Sequence, residues 1–146
     1  MKVLANDGIS KSGIEKLEEN GFEVITTKVA QEQLANYINT NNISVLLVRS
    51  ATKVTKEVID ACPNLKIVGR GGVGMDNIAV DYAREKGVNV INTPASSSDS
   101  VAELVFAHLF TGVRFLHDSN RLMPLEGETS FNQLKKSYAN GSELRG

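Results

Sequence analysis

Two arginines and a cluster of glycines are the residues of this sequence whose types and spacing could do chemistry. Four glycines lie within positions 69–74, directly after an apolar run, and Arg70 stands among them. Glycines leave backbone N–H groups open to a ligand, so several amides can converge on a small anion. Arg49 follows another apolar run, and a guanidinium binds carboxylate and phosphate groups with two hydrogen bonds. The pattern favours an anion-binding site, although Arg49 taken alone could be an ordinary surface arginine.

The spacing Gly69-x-Gly71-x-x-Gly74 also matches the dinucleotide-binding fingerprint. That fingerprint requires a carboxylate about 20 residues further on, to hold the ribose hydroxyl. Residues 92–94, Asn-Thr-Pro, stand there instead, and Asp76 would repel a pyrophosphate. We therefore interpret the loop as a site for the carboxylate or phosphate of a small substrate. A true pyrophosphate loop and a purely structural tight turn are the alternatives.

Groups that could perform catalysis on their own are not apparent in the sequence. We find no Ser/His/Asp or Cys/His arrangement, no carboxylate pair for acid/base work and no metal-ligand cluster. His108 and His117 lack an acidic or cysteine partner at ligand spacing, so we interpret them as packing or surface residues. Cys62 is the only cysteine, which excludes an internal disulfide, and we expect a buried structural thiol.

The elements that must position these residues alternate between strand and helix. Strands are predicted at 3–5, 22–26, 43–48, 66–68 and 88–91, and helices at 10–20, 31–39, 55–61 and 78–86. Each connection between strands suits a right-handed crossover, so the sequence predicts an α/β fold with a doubly wound parallel sheet. We expect the flavodoxin-like order 2-1-3-4-5, in which the third and fourth strands are neighbours. Arg49 should therefore lie beside the glycine loop, at the edge where such sheets bind ligands.

The sequence changes character after Pro94. A small polar linker at 95–99 leads to the capping box Ser100-x-x-Glu103, which predicts a helix over 100–120. This helix is apolar on nearly all sides, and such a helix is usually buried on most of them. The sheet can cover only one side, so we expect a second domain or a second copy of the chain to cover the rest. A loop at 124–128 and a short helix at 131–138 should follow.

Composition excludes several classes of partner. The 146 residues are 41% hydrophobic and 23% charged, with a formal net charge of −1, as in ordinary globular proteins. No basic patch indicates binding to nucleic acid or to a membrane.

A receiver domain is excluded because Arg49 stands where its acceptor aspartate should be. The N-terminus has no signal-peptide pattern, so we expect a cytoplasmic location.

Four motifs in order resemble those of the D-2-hydroxyacid dehydrogenases, closest to members that oxidise a phosphorylated substrate. The motifs are residues 47–55, 68–77, 92–94 and 100–104, and the similarity extends over the whole chain. The resemblance implies that Arg49, Ser50 and Arg70 face the substrate phosphate. It also implies that Gly72, Val73 and Gly74 offer amides to the substrate carboxylate, and that Val73 and Ser97 touch the cofactor, NAD.

The resemblance further implies a division of the chain. Residues 1–95 would be the substrate-binding domain, and residues 96–146 a linker and the first helices of the NAD-binding domain, ending before its glycine fingerprint. The helix over 100–120 would build a homodimer interface. Since the family's catalytic arginine, glutamate and histidine all follow that point, we expect the parent protein to be a dehydrogenase and this chain alone to be inactive. The alternatives are a different 2-hydroxy acid, such as glycerate or lactate, and a non-catalytic binding or dimerisation module.

Overall fold

The computed structural model describes residues 1–145 and contains one five-stranded, all-parallel sheet in the order β2-β1-β3-β4-β5. The strands are β1 (Lys2–Ala5), β2 (Glu23–Ile25), β3 (Ile43–Val48), β4 (Ile67–Arg70) and β5 (Asn89–Asn92). The helices between them are α1 (Lys11–Glu19), α2 (Leu34–Thr40), α3 (Lys56–Ala61) and α4 (Val80–Glu85). The predicted fold class and strand order are confirmed. Gly146, the last residue of the predicted second domain, lies outside the described residues.

One face of the sheet carries the main core. Leu4, Leu46, Val68 and Val90 are partners in register across β1, β3, β4 and β5, and all four are buried. Their side chains pack in one cluster with residues of α2, α3 and α4. Cys62 belongs to this cluster, and burial raises the pKa of its thiol. The prediction of a buried structural thiol is confirmed.

On the opposite face of the sheet, residues of β1 are buried, whereas the surface near β5 is exposed. The chain moves from β1 to β2 in one direction and from β3 to β5 in the other, so right-handed crossovers place α1 on the face opposite α2–α4. Val3 and Ala5, on β1, are fully buried there. Towards β5 the cover ends, and Ile91 is 53% exposed. An apolar strip of sheet surface therefore lies open beside the carboxyl ends of β4 and β5.

Two boundaries around the glycine loop differ from the prediction. Strand β4 continues to Arg70 because Gly69 and Arg70 pair with Leu47 and Val48 of β3. The following helix begins at Val80 rather than at Ile78, because Ile78 forms a parallel bridge with Val54, in the segment after β3. The loop proper therefore runs from 71 to 79.

A second compact unit begins at Ser97 and differs from the predicted helix pattern. Helix α5 spans Ser98–Val113, not 100–120, and Ser100 lies inside it rather than at its cap. The helical conformation is interrupted at Phe115, which has a left-handed backbone (φ 54), and helix α6 then spans Leu116–Ser137. The predicted loop at 124–128 is wrong: α6 continues through Pro124, although a proline inside a helix removes a backbone hydrogen bond and crowds the preceding turn. The irregular backbone falls at Ser130 instead.

The end of α5 is set by a distant contact. The amide of Ser142 donates to the carbonyl of Val113 at 2.9 Å, which satisfies an oxygen that helix ends otherwise leave open. The ring centroids of Phe115 and Tyr138 lie 6.2 Å apart.

Across residues 1–145, none of the helices has the length and apolar character needed to cross a membrane.

Candidate functional site

A cleft of about 720 Å³ opens at the carboxyl edge of the sheet. Its floor is apolar and includes Leu47, Gly69 and Ile91. Gly69 permits this floor, because a Cβ at that position would stand 2.7 Å from Cδ2 of Leu47. The polar rim includes Asp7, Arg49, Arg70, Asn92 and Thr93. The sequence-predicted pair Arg49 and Arg70 is thus brought together, whereas Ser50 and the loop residues Gly72, Val73 and Gly74 lie outside the cleft walls.

The turn at 49–52, which follows β3, is held from one side by Asp7. The Asp7 carboxylate accepts hydrogen bonds from the Arg49 amide (2.7 Å), the Thr52 amide (3.1 Å) and the Thr52 hydroxyl (2.6 Å). Behind it, the buried Asn6 donates to Thr52 Oγ1 at 2.8 Å and exchanges hydrogen bonds with the backbone of Val29. The end of β1 therefore fixes the end of β3.

Asn77 holds the same turn from the other side. Its Nδ2 donates to the carbonyl of Arg49 at 2.8 Å and to the carbonyl of Thr52 at 2.7 Å. The backbone continues this contact, since the amide of Val54 donates to the carbonyl of Asn77 at 2.8 Å. The turn that carries Arg49 and the loop at 71–79, which contains Asn77, therefore form one hydrogen-bonded structure.

The two arginines differ in how much of their guanidinium is available. Arg70 is 15% exposed in its side chain; it donates from Nε to the carbonyl of Arg49 at 3.4 Å and from Nη1 to the carbonyl of Gly74. Its Nη2 also lies 4.0 Å from the Asp76 carboxylate. Arg49 is exposed, and no carboxylate within the described residues lies within 4.0 Å of it. Arg49 is therefore the cleft arginine whose charge is open to a ligand.

The glycine loop presents fewer amides than the sequence suggested. The Gly72 amide donates to Thr93 Oγ1 at 2.9 Å, and Asn92 Nδ2 donates to the carbonyl of Val73 at 2.7 Å. These contacts fasten the loop to the end of β5. In the described part of the chain, the amides of Val73 and Gly74 have no such partner. Of the three predicted amide donors, two are open and one is engaged.

The loop does not fit a dinucleotide. A pyrophosphate site needs a glycine turn that leads directly into the N-terminus of a helix. Here Gly69 belongs to β4, α4 starts six positions after Gly74, and the Arg70 side chain and Asp76 occupy the space between. The residues present are thus unsuited to hold the cofactor's pyrophosphate.

The remaining predicted site residues lie in the second unit. Ser97 precedes α5, is half-buried and makes no capping hydrogen bond. His108 and His117 are exposed on α5 and α6. Residues 1–145 contain no cluster of three histidine, cysteine or acidic side chains that could hold a metal ion.

Sequence reasoning missed the residues whose hydrogen bonds hold the turn that carries Arg49: Asp7, Thr52 and Asn77. Asp7 could have been found, since it follows β1 at the edge where the two arginines were placed. Asn77 could not, because its role depends on contacts with Arg49 and Thr52, which the position just before the predicted helix at 78–86 does not indicate.

The Asp7 carboxylate should make stability depend on pH. Burial raises its pKa, but the hydrogen bonds from the Thr52 hydroxyl and from the amides of Arg49 and Thr52 lower it further, so the net shift is downward from 3.8. A carboxylate whose pKa is lower in the folded state than in the unfolded state stabilises the fold. This stabilisation is complete above the pKa of the unfolded state and is lost as the pH falls through the pKa of the folded state. We expect urea unfolding to show wild type more stable than Asp7→Asn at pH 6, with the difference shrinking below pH 4. A difference that stays constant with pH would contradict the assignment.

The family model described as D-isomer specific 2-hydroxyacid dehydrogenase, catalytic domain, matches residues 3–141. The chain is 43% identical over 114 residues to the D-3-phosphoglycerate dehydrogenase of Methanocaldococcus jannaschii, covering 78% of this chain and 21% of that protein. It is 40% identical over 116 residues to the hydroxypyruvate reductase of Thermotoga maritima, covering 79% and 37%.

Among solved structures, the NAD+-bound 3-phosphoglycerate dehydrogenase of Entamoeba histolytica is similar, with a TM-score of 0.63 and 29% identity. The superposed region covers 78% of this chain and 39% of that one. The chain spans less than half the length of each of these three relatives.

Proposed function

Because this chain belongs to the D-isomer specific 2-hydroxyacid dehydrogenase family, we propose that residues 1–95 bind the substrate of an NAD-dependent enzyme that oxidises 3-phosphoglycerate to 3-phosphohydroxypyruvate. This reaction is the first step of serine biosynthesis, a part of amino-acid biosynthesis. The observation that carries the proposal is the exposed Arg49 at the rim of the cleft, which forms no ion pair within residues 1–145. Among the relatives, D-3-phosphoglycerate dehydrogenases support the choice of a phosphorylated acid.

The proposed roles follow from which groups are open. Arg49 and Ser50 bind the phosphate, the first through charge-assisted hydrogen bonds and the second through its hydroxyl. The loop of Gly72, Val73 and Gly74 receives the carboxylate, with the amides of Val73 and Gly74 as the open donors. Arg70 reaches the ligand by exchanging its hydrogen bond to the Gly74 carbonyl for one to the anion.

Hydride transfer requires a bound nicotinamide and a general acid/base beside the hydroxyl carbon. Neither histidine of the chain belongs to the unit that contains the cleft. We therefore propose that NAD is held mainly outside residues 1–146, with Val73 and Ser97 as contacts at its edge. The isolated chain then binds substrate without turning it over. The cytoplasm is the proposed compartment, which agrees with a single cysteine that is free and buried.

We further propose that two copies of the chain pair through α5. Six large apolar side chains of this helix are between 43% and 58% exposed. They are Val101, Leu104, Val105, Phe106, Leu109 and Phe110. An apolar surface of this extent on one helix is typical of a protein–protein interface.

Two alternative functions are each favoured by one observation. The similarity to a hydroxypyruvate reductase favours a substrate without phosphate, such as glycerate or another 2-hydroxy acid of the lactate type. A non-catalytic module that binds or dimerises agrees with the absence of a histidine from the first unit.

Calorimetric titration of the chain with 3-phosphoglycerate, glycerate and NAD tests the proposal. A charge-assisted hydrogen bond contributes about 1.5–3 kcal/mol, so 3-phosphoglycerate should bind at least roughly 10-fold more tightly than glycerate. We expect no heat with NAD. Equal binding of glycerate would favour the reductase, and tight NAD binding would show that the 69–74 loop accepts a dinucleotide after all.

A further inference from the structure

We propose that Asn77 is a positioning residue of the anion site, which controls ligand affinity through Arg49 without touching the ligand. The inference rests on the proposed function only in taking the ligand to be an anion held by Arg49. Asn77 lies in the loop at 71–79, in contact with the turn that carries Arg49.

Side chains, rather than its own backbone, hold the turn at 49–52. Backbone hydrogen bonds do not close residues 49–52 on themselves in the described structure. Side chains take their place: the Asp7 carboxylate, which only accepts, binds the N–H groups of Arg49 and Thr52. The Asn77 amide, which has two N–H donors, binds the C=O groups of the same two residues. Both polar backbone groups at each end of the turn are therefore fixed.

The contacts of the Asn77 amide fix its orientation. Both groups that it faces are carbonyls, so Nδ2 rather than Oδ1 must point to them. As a result, Asn77 Oδ1 is buried with no hydrogen-bond partner in the described residues, which costs free energy. A side chain that only filled space would not carry this cost. The two hydrogen bonds to the turn are what offsets it.

A turn that is not held in place would lower the affinity for the anion. Ordering a backbone residue costs conformational entropy, and a turn that is already ordered avoids this cost when the ligand arrives. Arg70 gives only a weak third contact, since its Nε lies 3.4 Å from the Arg49 carbonyl. Removing the Asn77 amide should therefore loosen the Arg49 turn and weaken anion binding about 10-fold.

A double-mutant cycle tests this. The chain is titrated with 3-phosphoglycerate as wild type, Asn77→Ala, Arg49→Ala and the double variant. We expect Asn77→Ala to weaken binding about 10-fold in the wild-type background and to add nothing in the Arg49→Ala background. Asn39→Ala is the matched control, because Asn39 also donates a side-chain amide to a distant carbonyl, that of Ala61 at 2.7 Å, away from the cleft. It should bind as wild type does.

Amide hydrogen exchange supplies a readout that needs no ligand. Asn77→Ala should speed exchange at Arg49 and Thr52 about 10-fold and leave Leu46, inside β3, unchanged. If Asn77→Ala does not fold, Asn77→Ser, which keeps one donor, takes its place in every measurement.

The outcomes separate the inference from the proposed function. Wild-type affinity in Asn77→Ala, or an equal loss in both backgrounds, overturns the inference and leaves the proposed function standing. If wild type does not bind 3-phosphoglycerate, the proposed function fails, and the same four titrations are run with inorganic phosphate as the probe. Unchanged exchange at Arg49 and Thr52 overturns the inference in either case.

Discussion

Arg49→Ala should weaken the binding of 3-phosphoglycerate by roughly 10- to 100-fold, which is the loss expected when charge-assisted hydrogen bonds worth about 1.5–3 kcal/mol disappear. The reason is that Arg49 is exposed and forms no ion pair in the described part of the chain, so its guanidinium is available to the ligand. Stability should stay within about 0.5 kcal/mol of wild type for the same reason. Calorimetric titration and urea unfolding of the same sample measure both quantities.

Two variants make the Arg49 result specific. Arg84→Ala removes an exposed arginine of α4 that is absent from the cleft walls, so it should bind 3-phosphoglycerate as wild type does. Arg70→Ala should lower stability as well as affinity, because Arg70 donates to the carbonyls of Arg49 and Gly74. If Arg49→Ala and Arg84→Ala have the same affinity, Arg49 is a surface arginine and the anion binds elsewhere.

Leu104→Glu should convert a dimeric chain into a monomer, weakening self-association at least about 30-fold, the effect of losing a central interface residue worth about 2 kcal/mol or more. Leu104 is 58% exposed on α5, so the glutamate costs little in one copy of the chain. In a paired copy it would place a charge in an apolar interface, which is strongly unfavourable. Sedimentation equilibrium over a range of concentrations measures the change.

Leu125→Glu is the control for the dimer prediction. Leu125 lies on α6 and is 77% exposed, so the same chemical change is made outside α5. Its association constant should match wild type. A wild-type chain that sediments as a monomer at all concentrations would remove α5 as a self-association surface, and equal effects of both variants would point to a general loss of apolar surface.

The fold was predictable because its signals are local. The run Ile43–Val48 is apolar almost throughout, as expected of a strand with both faces covered, and it becomes the central strand β3. Once strands and crossovers are recognised, the edge at which Arg49 and Arg70 meet follows from the rules of parallel sheets. The pairing of these two residues in one cleft therefore needed no knowledge of side-chain contacts.

Features that depend on distant contacts could not be predicted in this way. The break after Val113 lies in an apolar run, and the group that satisfies its carbonyl, the Ser142 amide, is far along the chain. The engagement of Gly72 by Thr93, and of Arg70 by the loop, likewise depends on side-chain geometry at the sheet edge. Residue types show which groups can bind an anion, but not which of those groups already form hydrogen bonds within the protein.

The strand order also sets the course of folding. Most neighbouring strands are consecutive in the chain, but β1 pairs with both β2 and β3, and the contact of Val3 with Val45 closes the largest loop in the sheet. Closing a large loop costs entropy before any contact rewards it, so this step should limit the folding rate. The Arg49 turn follows β3 directly and binds Asp7 behind β1, so it is assembled only after that step. An anion that binds the turn therefore stabilises only chains that have passed this barrier, and should slow unfolding more than it speeds folding.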